Sequence, residues 1–143
     1  MEWERRVGDS WARRDRKALN ILKVGGDPRV VPENQRKIVG ESHCQDALAS
    51  IAGPPTAGLG RFRTELALLV PEPENPYDPQ AVAVHICGQH VGYLSSDDAQ
   101  VFQPLILDLM SRTGKSVGCK AEIRGSTHYG VDLFYSRAMS FDR

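Results

Sequence analysis

Two hydrophobic periods share this chain. Phe62, Thr64, Leu66, Leu68 and Val70 alternate with Arg61, Arg63 and Glu65, the period-2 signature of a half-buried strand. Val82, Val84 and Ile86 take one face of a strand over residues 81–87. Gly88-Gln89 makes a tight turn with Gly88 at positive φ, and residues 90–94 return as the second arm of a hairpin. Val117, Cys119, Ala121 and Ile123 alternate with Ser116, Lys120 and Glu122 over residues 116–123, and residues 131–135 supply a final strand. Lys37-Ile38-Val39 is a brief strand ending at Gly40.

The helical period appears three times. Residues 45–52 place Ala47, Leu48 and Ile51 inward. Residues 96–113 carry the stripe Ala99, Phe102, Ile106 and Leu109, capped by Ser95 or Ser96 and followed by Asp97 and Asp98, which suit the helix N-terminus. Pro104 lies inside and predicts two short helices or a kink. In residues 11–24, Trp11, Ala18, Leu19, Ile21 and Leu22 share one face of a short helix, stopped by Gly25-Gly26-Asp27-Pro28. Residues 30–34 read as an extended linker. Short strands with helical insertions predict a mainly β fold, a small closed or half-closed barrel of OB type.

Composition bounds this picture. The chain has 143 residues, with 41% hydrophobic and 25% charged, which suits one globular domain of about 100–200 residues and a tail. No apolar run reaches the roughly 20 residues of a membrane span, and no signal-peptide stretch opens the sequence, so a cytoplasmic location is the default expectation. The 18 basic residues balance the 18 acidic ones. The balance is a cancellation: residues 1–37 hold ten Lys/Arg and six acids, and the rest hold eight and twelve. The expected organisation is a basic arm over residues 1–35, partly helical or flexible, attached to a barrel domain over residues 36–143. The arm offers two readings, a loosely docked extension or a surface for nucleic acid or a partner.

Signals for catalysis are weak. The three cysteines, Cys44, Cys87 and Cys119, form no C-x-x-C pair. The four histidines fall at no zinc-ligand spacing, so neither a metal nor a cofactor is expected. Asp97 and Asp98 are explained by the helix start, and His43-Cys44 are neighbours that an extended segment points apart. The informative segment is 71–79, where Pro71, Pro73, Pro76 and Pro79 fix φ and remove four donors. It presents Tyr77, a stacking platform for a base, and Asp78, which repels phosphate and accepts from a hydroxyl or amine. The alternative is an Asn-Pro turn in which Asp78 bonds backbone amides.

Residues 69–84 (Leu-Val-Pro-Glu-Pro-Glu-Asn-Pro-Tyr-Asp-Pro-Gln-Ala-Val-Ala-Val), followed by Gly88-Gln89-His90-Val91-Gly92-Tyr93-Leu94, closely resemble the HIRAN domain family. Val39-Gly40-Glu41-Ser42-His43-Cys44-Gln45 looks like that family's opening motif. Residues 119–125 and 130–133 are similar to its ending. The resemblance covers roughly residues 36–135. It implies an OB-like barrel of about six strands and a non-catalytic module that binds single-stranded DNA and captures its 3′ end, by aromatic stacking and by an Asp that bonds the terminal hydroxyl. Tyr77 matches a stacking position and Asp78 the hydroxyl-binding Asp. Tyr93 sits at a variable pocket position. His43 falls near a Tyr of the end-binding members and Ser42 near an Arg, and Gln80 replaces their usual Asn. Tyr129 is a further stacking candidate, and Arg61, Arg63, Lys120 and Arg124 are candidate phosphate contacts. The family includes bacterial chains without an attached helicase or nuclease, as well as fork-remodelling enzymes. A DNA-repair role with a helicase or nuclease partner follows from the resemblance. The competing classes are a protein-interaction module and an accessory to a hydrolase or nuclease.

Overall fold

The computed structural model describes residues 19–23, 35–54, 60–135 and 140–142. The segment before Leu19, the Gly-Gly-Asp-Pro stop, the linker over residues 30–34 and most of the Gly-Pro loop after Pro54 lie outside them. In chain order the elements are β1 (Leu19–Lys23), β2 (Gln35–Val39), a single 3-10 turn (Glu41–His43), α1 (Gln45–Ala52) and β3 (Arg61–Pro71). Then follow β4 (Val82–Ile86), β5 (Gln89–Leu94), α2 (Ser96–Thr113), β6 (Ser116–Gly125), β7 (Tyr129–Phe134) and β8 (Ser140–Asp142).

Six strands close a barrel in the order β3-β4-β5-β2-β7-β6, and β6 returns to β3 through a nine-residue antiparallel ladder from Arg61↔Gly125 to Leu69↔Val117. Every pair within the barrel is antiparallel. The fold is therefore mainly β, with an OB-like barrel and two helices. β6 is longer than its neighbour β7 needs. Its second half, from Lys120, pairs with β7, and its first half takes β1 in parallel, with β8 antiparallel on β1.

Three expectations need correction. Residues 19–23 are a strand rather than part of a helix. A short apolar run fits both periods, and pairing with β6 decides it. Residues 96–113 form one helix with Pro104 inside, not two short ones. Pro104 is exposed, so water can serve the carbonyl that it leaves without a donor. The third concerns β3. Its apolar set, which alternation assigns to the buried side, is the outer one. Phe62 is 61% exposed and Leu66, Leu68 and Val70 are half-buried, whereas Glu65, Ala67 and Leu69 point inward.

The two helices sit at opposite ends of the barrel. α1 lies at the end where β3 begins, and Arg63 Nη1 donates to Ile51 O at 2.7 Å. α2 lies where β3 finishes, and Gln103 Nε2 donates to Ala81 O at 3.1 Å. Leu48 and Ile51 from α1, and Phe102 and Ile106 from α2, join the inward strand residues in one buried cluster. Ser95 Oγ accepts from Asp98 N at 3.3 Å, capping α2 as expected. Asp98 itself is buried and takes Arg36 Nη1 at 3.1 Å.

The β4–β5 hairpin turns on Cys87 (φ 51°) and Gly88 (φ 76°). Two positive φ values match the twist of a two-residue turn, and Gly88 accepts one without strain. Behind the turn, a register shift beside Val84 pairs Val84 with Gly92 and His85 with His90, leaving Val91 extra. This bulge matters for the site. His90 and Tyr93 are three residues apart and would face opposite ways in a regular strand; the extra residue turns both outward.

Candidate nucleic-acid interface

Four prolines leave the 71–79 loop short of donors, and side chains supply the missing bonds. Asn75 Oδ1 accepts from Tyr77 N at 2.9 Å and from Asp78 N at 3.1 Å, while Asn75 Nδ2 donates to Glu72 Oε1 at 3.0 Å. Asp78 Oδ1 accepts from Gln80 N at 3.0 Å. Gln103 of α2 donates to Pro79 O (2.8 Å) and Ala81 O (3.1 Å). Glu72 N and Ala81 O close the base of the loop at 2.9 Å. A hollow of about 660 Å³ opens over residues 71–77.

This frame holds Tyr77 in water, 96% exposed. Its backbone is bonded and its ring is free of the core, which is the arrangement a stacking platform requires. Asp78 plays the turn role with one oxygen. The other has no partner among the described residues and remains able to accept. Glu72, Glu74 and Asp78 make the loop acidic, so it favours a hydroxyl over a phosphate.

Tyr93 lies on β5, beside the Glu72 carboxylate. Burial and that carboxylate push its phenol up. Its ring meets His90 edge-on at 4.8 Å, and His90 stands 5.4 Å from His85. A row of three rings thus runs down the outer face of β4 and β5. Val39 pairs with Tyr93 and is 48% exposed. Gly92 allows β5 to approach β2 this closely: a Cβ there would lie 2.7 Å from Val39 O. The exposed His43 rides on the 3-10 turn that packs against β5. Tyr77, Asp78, Tyr93 and the His43 turn are therefore brought to one side of the barrel.

Other sequence candidates fall elsewhere. Tyr129 is fully buried and donates to Gly53 O at 2.7 Å, so it cannot stack on a base. Its neighbour across the fold, Gln45, bonds both its N–H and its carbonyl. Arg63 is turned inward, where Nε meets Glu65 at 2.6 Å; it braces β3 against α1 instead of meeting phosphate. Lys120 and Arg124 are more than half exposed on the outer face of β6, both paired with Glu122. Arg61 begins β3, and its side chain lies outside the described residues. Glu72, Asn75, Gln103 and His90 were missed. Gln103 carried a signal, being a polar residue beside Phe102 in the buried stripe of α2.

The three thiols form no disulfide; two of them are partly buried and one is fully buried. Cys44 faces His90 Nδ1 at 3.9 Å, not His43, and burial pushes it up. Burial and Glu65 push Cys87 up to about 12, and burial alone takes Cys119 to about 12. Among the described residues no three His, Cys, Asp or Glu side chains are grouped for a metal. No described helix is long and apolar enough to cross a membrane.

The row of rings makes stability depend on pH. Burial, and then His90, hold the His85 imidazole below its ordinary value, with Glu72 opposing. Unfolded, His85 titrates near about 6.5; folded, it accepts its proton only at lower pH. Below about pH 6.5 the unfolded state binds more protons, so stability falls as pH drops through that value. A melting-temperature series from about pH 8 to about pH 5 is expected to decline below about 6.5, and less steeply in His85→Gln. Equal declines in both proteins would remove His85 as the cause.

No curated protein and no solved structure matches the chain. The HIRAN domain family matches residues 60–133, from the start of β3 through the proline loop and hairpin into β7. That is more than half of the chain, and it includes Tyr77, Asp78 and Tyr93; the protein belongs to the HIRAN domain family, whose members are nucleic-acid-binding modules.

Proposed function

We propose that the domain binds single-stranded DNA without cleaving it and captures the 3′-hydroxyl end on the 71–79 loop. The observation that carries this reading is the pairing of an almost fully exposed Tyr77 with an Asp78 oxygen that has no partner among the described residues, on one hydrogen-bonded loop. The last base stacks on Tyr77. The terminal hydroxyl donates to Asp78. Tyr93 and His43 line the approach. The acidic loop rejects an end that carries phosphate, and it disfavours coating a backbone along its length. A module of this kind presents an end to a helicase or nuclease partner during repair.

Matched oligonucleotides ending in 3′-hydroxyl or 3′-phosphate test the reading by fluorescence anisotropy. A hydrogen bond to a charged acceptor contributes about 1.5–3 kcal/mol, so the hydroxyl end is expected to bind at least about tenfold more tightly. Equal affinity for the two ends would refute end capture.

A further inference from the structure

The outer face of β3 leads away from the loop to a second exposed aromatic. Residues directly opposite in an antiparallel pair share a face. Along this face Val70 pairs with Ala83, which pairs with Tyr93; Leu68 pairs with His85; Leu66 pairs with Lys120; and Phe62 pairs with Arg124. One face of the sheet therefore joins the row of rings beneath the loop to Phe62 at the other end of the strand, with Ala83 covered and Leu66, Leu68 and Val70 half-buried along it.

That far end has its own chemistry. Phe62 is 61% exposed, which leaves a large apolar ring in water. The Arg124 guanidinium carbon lies 5.6 Å from its centroid, and Lys120 Nζ lies 5.1 Å from the centroid of Phe134. Both cations are held down by Glu122, which Arg124 meets at 2.5 Å and Lys120 at 3.8 Å; Arg124 also lies 3.9 Å from Asp132. The acids of the loop are at the opposite end. This face thus runs from a hydroxyl-accepting, acidic end to an aromatic end where two exposed cations balance Glu122 and Asp132.

We propose that Phe62, with Arg124 and Lys120, is a second contact for the same single strand. A base stacks on Phe62, and the two cations meet the phosphates beside it. The inference rests on the reading above, because the loop supplies the first anchor. Phe62 and Pro71 are nine steps apart along β3, about 30 Å at about 3.3 Å per step. That span suits the roughly 4–16 nucleotides that a fold of this type covers. A very short strand held by the loop cannot reach Phe62, and a longer one can.

Anisotropy with 3′-hydroxyl oligothymidylates, a trimer and a decamer, provides the test. The decamer is expected to bind the wild-type protein about tenfold more tightly than the trimer. Phe62→Ala is expected to abolish that gain and leave trimer binding unchanged, and Phe62→Tyr to retain it. Arg124→Gln is expected to lower the salt slope by about one for the decamer alone. A decamer that binds no better than the trimer, or a Phe62→Ala protein that keeps the gain, overturns the inference and leaves end capture standing. Binding of neither oligonucleotide overturns both. Melting curves of the variants confirm that the fold is intact.

Discussion

Phe102→Ala is expected to remove about 3–5 kcal/mol of folding stability, the usual cost of emptying a buried aromatic site. Domains of this kind are stable by only about 5–15 kcal/mol, so the loss is a large share of the whole. Phe102 is completely buried, and three things rest on it. Its ring meets Tyr135 edge-on at 4.8 Å. The Arg36 guanidinium carbon lies 5.9 Å from its centroid while that residue bonds Asp98 at 3.1 Å. It also holds α2 against the barrel beside Gln103, the residue that ties down the proline loop. Truncation leaves a cavity lined partly by a partly buried ion pair, which relaxes poorly. Urea unfolding is expected to show a lower midpoint with an unchanged slope. A loss below about 1 kcal/mol would mean that the packing of α2 on the barrel does not depend on Phe102.

The barrel could be read largely from the sequence because most of its strands and turns are specified locally. The hairpin turn, the Ser95 cap and the stripe of α2 are each carried by residues close in sequence. Errors occurred where distant partners decide. Residues 19–23 look equally helical and extended until β6 offers an edge almost a hundred positions later. Tyr129, in a polar Gly-flanked stretch, reads as exposed; Gln45, 84 positions earlier, fastens it inside. β3 is the most instructive case. From Leu66 to Val70 both faces of the strand are apolar, so alternation alone cannot fix which side is inner. Arg63 and Glu65 settle it by pairing beneath α1, which sends Phe62 outward.

The candidate site was legible in its ligand-facing residues and partly hidden in its supports. Tyr77 and Asp78 stand in a proline-rich segment whose stiffness is plain from composition. Of the residues that hold the segment, Asn75 makes the local turn its type favours and Gln103 stands out only as a polar residue in an apolar stripe; which carbonyls Gln103 meets, 22 and 24 positions away, is set by the tertiary fold. The row of Tyr93, His90 and His85 depends on a bulge at Val91. A regular hairpin would put His90 and Tyr93 on opposite faces, and spacing alone predicts that.

Tyr77→Ala is expected to weaken single-stranded DNA binding by about tenfold to a hundredfold, the effect of losing one base–aromatic stack. The fold should not register the change. The Tyr77 side chain is almost wholly in solvent, and the loop uses only its backbone N–H, given to Asn75 Oδ1. Exposed substitutions of this sort usually alter stability by less than about 0.5 kcal/mol. Asn75→Ala provides the contrast. It removes three hydrogen bonds from the frame and is expected to lower both melting temperature and affinity. Tyr77→Phe keeps a ring on an intact frame and is expected to keep most of the binding. Anisotropy titrations and thermal melts of the three variants separate a stacking surface from a loop that matters only for folding. If Tyr77→Ala binds as tightly as wild type while Asn75→Ala does not, the loop supports a contact elsewhere and Tyr77 is not the platform.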